Sequence, residues 1–191
     1  MSNYIRPRRP GATIFFTVNL AQRDSRLLVE QISCLRAAVR ATRSDRPFHV
    51  DAWVVLPNHM HCVWTLPEGD SAYSVRWGAI KARFTRLVTD AARRPGFSPA
   101  QIPSAFPVVE RGRYAGLKPG LRSHKREHAI WQRRFWEHHI RDEADYAAHV
   151  RYCWINPVKH GFVARPEQWP FSSIHRDMHS GEMAAAAIRQ G

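Results

Sequence analysis

The sequence predicts an α+β fold of the ferredoxin-like, split βαβ kind, an antiparallel sheet with helices packed on one face. Three observations predict it. Hydrophobic periods of two and of 3.6 residues follow one another in the order strand, helix, strand, then helix, strand, helix, strand. A chain of 191 residues with 44% hydrophobic content can bury one sizeable core and not two. A single long stretch without period, about 93–129, interrupts that order as an insertion, so residues 1–176 read as one domain and 177–191 as a frayed tail.

Each element has a local reason. Residues 1–11 are basic and proline-containing, and Ala12 to Leu20, rich in Ile, Phe, Val and Thr, reads as the first strand. Asp24 or Ser25 caps a helix whose apolar positions Leu28, Ile32, Leu35 and Val39 recur at helical spacing, with Arg36, Arg40 and Arg43 off that stripe, ending near Asp45. His49 to Leu56 is a second strand. Pro57 removes an amide donor, so continuation through His59 to Leu66 requires an edge, a bulge or a break. A turn at Pro67 to Asp70 leads to a second amphipathic helix with Trp77, Ile80, Phe84, Leu87 and Ala91 inward and Arg76, Arg83 and Arg86 on the other side. After the insertion, Ile130 to Ile140 is bulky enough for a third strand. Asp142 then caps a third helix with Asp145 in its first turn; Pro157 ends that helix near Ile155. Gly161 lets the chain reverse, and Phe162 to Phe171 returns as a last strand or packed extension.

Composition narrows the function classes. Lys plus Arg total 29 against 16 Asp plus Glu, a formal net charge of +13, which favours polyanionic partners and nucleic acid first. Three widely spaced cysteines, Cys34, Cys62 and Cys153, fit reduced thiols and a cytosolic compartment. No apolar stretch reaches the roughly twenty residues of a membrane span, and the N-terminus lacks the apolar core of a signal peptide.

The chemistry resides in two segments. At the end of an apolar run, His59 and His61 stand two apart, and an extended chain turns both imidazoles to one face. Taken alone, a His-x-His on a strand is more often a packed or surface pair than a ligand pair. Some ninety residues later Tyr152 and Asn156 stand four apart, one face of a helix, so Asn156 could supply a neutral third ligand. A divalent ion held by this N/O set would polarise a phosphodiester; imidazole ligands suit Mn²⁺ better than Mg²⁺. A phenol titrates near pH 10, so Tyr152 needs a metal or base beside it to attack phosphorus. Such attack leaves a 5′-phosphotyrosine and a free 3′-hydroxyl, strand transfer with no nucleotide cofactor. His149, three before Tyr152, is a candidate orienting or proton-handling group.

The segments WVVLPNHMH (53–61), WQRRFWEH (131–138) and YCWINPVKHG (152–161), followed by Trp169-Pro170-Phe171-Ser172-Ser173, closely resemble the REP-associated tyrosine transposases, a branch of the HUH single-strand transposases. The resemblance runs from about Gly11 to Arg176. It implies a ferredoxin-like fold and Mg²⁺ or Mn²⁺ held by His59, His61 and Asn156. It also implies Tyr152 as nucleophile and a substrate of single-stranded DNA with repetitive extragenic palindromes folded as hairpins. The protein would then be a cytoplasmic, nucleoid-associated endonuclease and strand transferase, monomer or homodimer. The alternative is a non-cleaving module of the same fold that binds DNA or RNA hairpins.

Candidate phosphate contacts are Arg76, Arg83 and Arg86 on the second helix and Arg111, Arg113, Lys118, Arg122, Lys125 and Arg126 in the insertion. His124 and His128 have helical metal-pair spacing but no third ligand. Trp131, Phe135 and Trp136 could stack on unpaired bases, yet strand aromatics are usually core.

Overall fold

The computed structural model describes residues 7–93 and 130–179. In chain order these form β1 (Thr13–Asn19), α1 (Leu27–Glu30), α2 (Ile32–Asp45), β2 (His49–Val55), β3 (His59–Thr65), α3 (Tyr73–Ala92), β4 (Trp136–His139), α4 (Glu143–Lys159) and α5 (Ile174–His179). The sheet order is β2-β3-β1-β4 with every pairing antiparallel, which is the predicted split βαβ arrangement.

Alternation along β1 divides the molecule. Ile14, Phe16 and Val18 face the layer of α2 and α3. Phe16 meets Trp77 with ring centres 5.6 Å apart, and Trp77 stacks on Trp64 at 4.2 Å. Tyr73, Ile80 and Phe84, at helical spacing with Trp77, are buried there as the period predicts. Phe15 and Thr17 face the other way, where Phe15 meets His149 and Tyr152 of α4. Helices on one face therefore describes α2 and α3; α4 crosses the opposite face. It lies over the β2–β3 half and leaves the β1–β4 side of that face more open.

The structure redraws several boundaries. Neither Asp24 nor Ser25 is the cap: the N-cap of α1 is Arg26, without a side-chain cap bond, Ser25 Oγ accepts from the Leu27 N–H in a local turn just before it, and the first helix breaks at Gln31 into α1 and α2. The expected strand Ile130 to Ile140 shortens to β4, and Trp131 forms a lone bridge to Leu20. The segment after Gly161 is a packed extension, not a full strand. Its Phe171 carbonyl accepts from Val55 and its Ser173 N–H donates to Trp53, so a short stretch lines the free edge of β2. α5 then continues to His179 with Asp177 buried, so order extends past the expected boundary at 176. Residues 94–129, with Arg111, Arg113, Lys118, Arg122, His124, Lys125, Arg126 and His128, lie outside the described residues, as does the tail from 180. No helix among the described residues is long and apolar enough to cross a membrane.

The most consequential correction concerns Pro157, which lies inside α4 and does not end it. A helical proline lacks an N–H and crowds the carbonyl four residues back. Here only the last turn bears that cost, and a glycine cap closes it. Gly161 takes φ 69°, its N–H bonds the Val158 carbonyl at 2.9 Å, and the Phe162 N–H bonds the Pro157 carbonyl at 2.9 Å. These are the paired bonds of a Schellman motif. The extra turn carries Lys159 and His160 towards β3.

Candidate active site

The break that Pro57 predicts is a tight turn: β2 ends at Val55, β3 begins at His59, and the Leu56 N–H bonds the His59 carbonyl at 2.8 Å. His59 and His61 both face α4, their ring centres 5.1 Å apart. His61 is 5% exposed, stacks on Phe15 at 5.6 Å and hydrogen-bonds Thr17 Oγ1 through Nδ1 at 2.9 Å. His59 Nδ1 bonds Asn58 Oδ1 at 2.6 Å. Asn58 Nδ2 donates to the Arg23 carbonyl, so its oxygen is the atom left for His59, whose Nδ1–H must be the donor. With Nδ1 engaged on both rings, each has Nε2 left to offer.

Burial sets their protonation. Desolvation, with repulsion from His160, lowers His59 to about 4. Desolvation, with the added charges of His59, His160 and Lys159, lowers His61 to about 3. Both imidazoles are therefore neutral near pH 7, the form that binds a metal.

α4 presents its own stripe. His149, Tyr152, Asn156 and His160 recur at spacings of three and four and share one face. The Tyr152 ring meets His61 edge-on at 5.1 Å, and two turns later His160 meets His59 at 5.2 Å. Asn156 lies between those two contacts on the stripe. It is 1% exposed, and its Oδ1 has no hydrogen-bond partner. An orphaned buried amide oxygen costs about 1–3 kcal/mol, which a cation at that oxygen would offset. Two neutral imidazoles and this carbonyl fit a divalent ion with coordination positions to spare.

The other sequence candidates fall elsewhere. His149 does not reach Tyr152 directly. Its Nδ1 lies 3.1 Å from Asp145 Oδ1, its ring stacks on His138 at 4.7 Å, and it meets the site through Phe15. Burial alone would raise the Asp145 carboxyl, but bonds from His138 and Arg141 outweigh it and hold it well below the usual carboxylate range. His138, Asp145 and His149 are thus a second cluster, separate from the His59–His61 pair.

Arg76 is not a surface phosphate contact. Its side chain is 2% exposed, its guanidinium takes both Asp70 oxygens at 3.0 and 2.6 Å, and it donates to the Arg46 and Pro47 carbonyls. Arg83 ties α3 to Thr42 and Asp45 of α2, and Arg86 is exposed. Among the aromatics, Trp131 is core and Phe135 packs on Phe16 and Trp77, whereas Trp136 is 54% exposed. Trp136 stands on β4 opposite Thr17, on the open half of the site face. Sequence reasoning missed Thr17, Phe15, Lys159 and His160. The last two were within the quoted YCWINPVKHG segment, hidden by the expectation that Pro157 ended the helix.

A ferredoxin-like sheet carrying a His-x-His pair, faced by a tyrosine and an amide one helical turn apart, is the arrangement of the HUH single-strand nucleases. No protein-family model matches the chain. It is 45% identical over 181 residues to the REP-associated tyrosine transposase of Escherichia coli (strain K12), spanning 95% of this chain and 87% of that protein. A solved structure, described as a REP-associated tyrosine transposase bound to a REP hairpin, superposes with a TM-score of 0.73 at 45% identity, over 95% of this chain and 87% of that one. The chain belongs to the REP-associated tyrosine transposase family, and that membership implies a divalent metal ion.

Proposed function

We propose that this protein cleaves and rejoins single-stranded DNA at repetitive extragenic palindrome hairpins, with Tyr152 as nucleophile and His59, His61 and Asn156 as metal ligands. The observation that carries this reading is the Tyr152 ring set against His61 on the same helical stripe as the partnerless Asn156 oxygen. The solved relative bound to a REP hairpin supports the substrate, as does a net charge of +13.

In the reaction, Tyr152 Oη attacks the scissile phosphorus and gives up its proton to solvent or a nearby base. The new bond joins phosphorus to Oη; the bond to the 3′-oxygen breaks, and that oxygen leaves as a hydroxyl after taking a proton. The downstream fragment stays on Tyr152 through its 5′-phosphate, as a phosphotyrosine. Attack by a second 3′-hydroxyl reverses the sequence without a nucleotide cofactor. When bound, a divalent ion, Mg²⁺ or Mn²⁺, supplies charge stabilisation at the phosphate oxygens and makes the phenol more acidic. Phe15 fixes His61 and Tyr152 by contact with both rings, and His149, packed on Phe15 and anchored to Asp145, positions that ring. The activity belongs in the cytoplasm, on the nucleoid.

The test is incubation with labelled single-stranded repeat DNA and Mn²⁺. A protein band shifted by attached DNA is expected for the parent and none for Tyr152→Phe, which should bind the hairpin equally well. Undiminished cleavage by that variant refutes the assignment.

A further inference from the structure

We infer that Lys159 is a further catalytic residue, the cation that receives the scissile phosphate, and that its charge makes metal binding conditional on DNA. The inference rests on Tyr152 and the His59–His61–Asn156 set acting as proposed above.

Lys159 sits in the last turn of α4, and its Nζ lies over the Tyr152 ring, 4.9 Å from the ring centre. A lysine at a helix C-terminus is favoured by the dipole. The dipole does not explain an ammonium laid over a ring two turns back. No carboxylate pairs with Lys159 among the described residues, and cation–π attraction at an exposed site is worth only about 0.5–1 kcal/mol, so a phosphate can take the ammonium. Of the groups whose charge bears on His61, Lys159 is the one that is cationic near neutral pH; His59 and His160 add repulsion only when protonated. The three proposed ligands are neutral, and the nearest charge to the nucleophile is positive. A divalent ion entering the free protein therefore meets repulsion with no anion to offset it. The scissile phosphate supplies that anion, satisfying Lys159 and the ion together. Metal and DNA should thus bind cooperatively, and the free protein should hold metal weakly.

The test uses full-length protein and two readouts that move in opposite directions. In Lys159→Met, Mn²⁺ affinity of the DNA-free protein, read by loss of the free-ion paramagnetic signal, should tighten roughly threefold to tenfold. Single-turnover cleavage of hairpin DNA should slow on the order of 10²-fold. Lys159→Arg should keep most of the cleavage. In a Cys34→Ser background, Lys159→Cys should be inactive and regain cleavage after alkylation with bromoethylamine, which rebuilds an ammonium at nearly the same reach. Lys159→Met cleaving within about threefold of the parent, or showing unchanged or weaker Mn²⁺ affinity, overturns the inference. A parent protein that forms no adduct would instead refute the Tyr152 assignment, so the two failures are distinct.

Discussion

Thr17→Val isolates the hydrogen bond that orients His61. The two side chains are nearly the same shape, so the substitution removes little besides the 2.9 Å contact between Thr17 Oγ1 and His61 Nδ1. Losing one neutral hydrogen bond costs about 1 kcal/mol of stability, partly offset because valine suits a strand at least as well as threonine. The cost at the metal should be larger. Without Thr17 the His61 ring loses the partner that holds its orientation, whereas His59 keeps Asn58. Removing such a partner from a ligating histidine typically lowers metal affinity about 10- to 100-fold, or about 1.4–2.7 kcal/mol. The assay is a Mn²⁺ titration in a Tyr152→Phe background with hairpin DNA bound, so no turnover intervenes, run beside thermal melts. Thr17→Ser should restore the affinity, since it returns the hydroxyl. A Thr17→Val affinity within twofold of the parent, or a loss that Thr17→Ser fails to restore, would refute the orienting role.

Four other outcomes follow from the structure. His59 and His61 fall from an ordinary 6.5 to about 4 and about 3, so below pH 6.5 the unfolded chain takes up protons that the folded protein refuses. Stability from these two groups is complete above that pH and is lost as pH falls towards 4, so metal-free parent protein should lose melting temperature more steeply than a His59→Asn/His61→Asn variant; parallel curves would refute this. Asp70→Asn strands the buried Arg76 guanidinium and should cost about 2–3 kcal/mol in denaturant unfolding, discounted because Asp70 is a third exposed, while leaving the salt dependence of hairpin binding unchanged. Arg86→Ala should lower that salt slope by about one and leave stability alone, and the opposite pattern would place Arg76 at the DNA. Trp136→Ala should weaken binding of hairpins with single-stranded flanks by about 1–3 kcal/mol and spare blunt hairpins; equal losses on both would exclude base stacking.

Much of this architecture was legible because it rests on local signals. Alternation in TIFFTVN, the Trp77–Ile80–Phe84 stripe and the Asp142 cap each report their own element, and the cap bond to the Asp145 N–H is 2.8 Å. The His59–His61 pair was legible for the same reason, since a period of two needs no tertiary knowledge. What could not be read depended on partners distant in sequence. Arg76 and Arg86 look alike on a helical wheel; only Asp70 and the carbonyls of residues 46 and 47 make one of them interior. Trp136 and Trp131 are both strand-like aromatics, and the difference arises because α4 covers the β2–β3 half and leaves β4 open. Pro157 misled for a physical reason as well: the rule that proline stops a helix gives way where a glycine cap one turn later restores the end bonds.

The two faces of the sheet divide the work between stability and chemistry. The face toward α2 and α3 is a dense aromatic layer of Phe16, Phe48, Trp64 and Trp77. The other face buries fewer large side chains and holds imidazoles, a phenol and an unsatisfied amide. Phe15 is the exception there: its ring touches His61, Trp136, His149 and Tyr152 at once. A single apolar side chain thus helps set the spacing between His61 of β3 and Tyr152 of α4, the residues proposed as ligand and nucleophile. Because α4 meets the sheet mainly through this functional face, polar substitutions at the site should cost less folding energy than equal changes around Trp64.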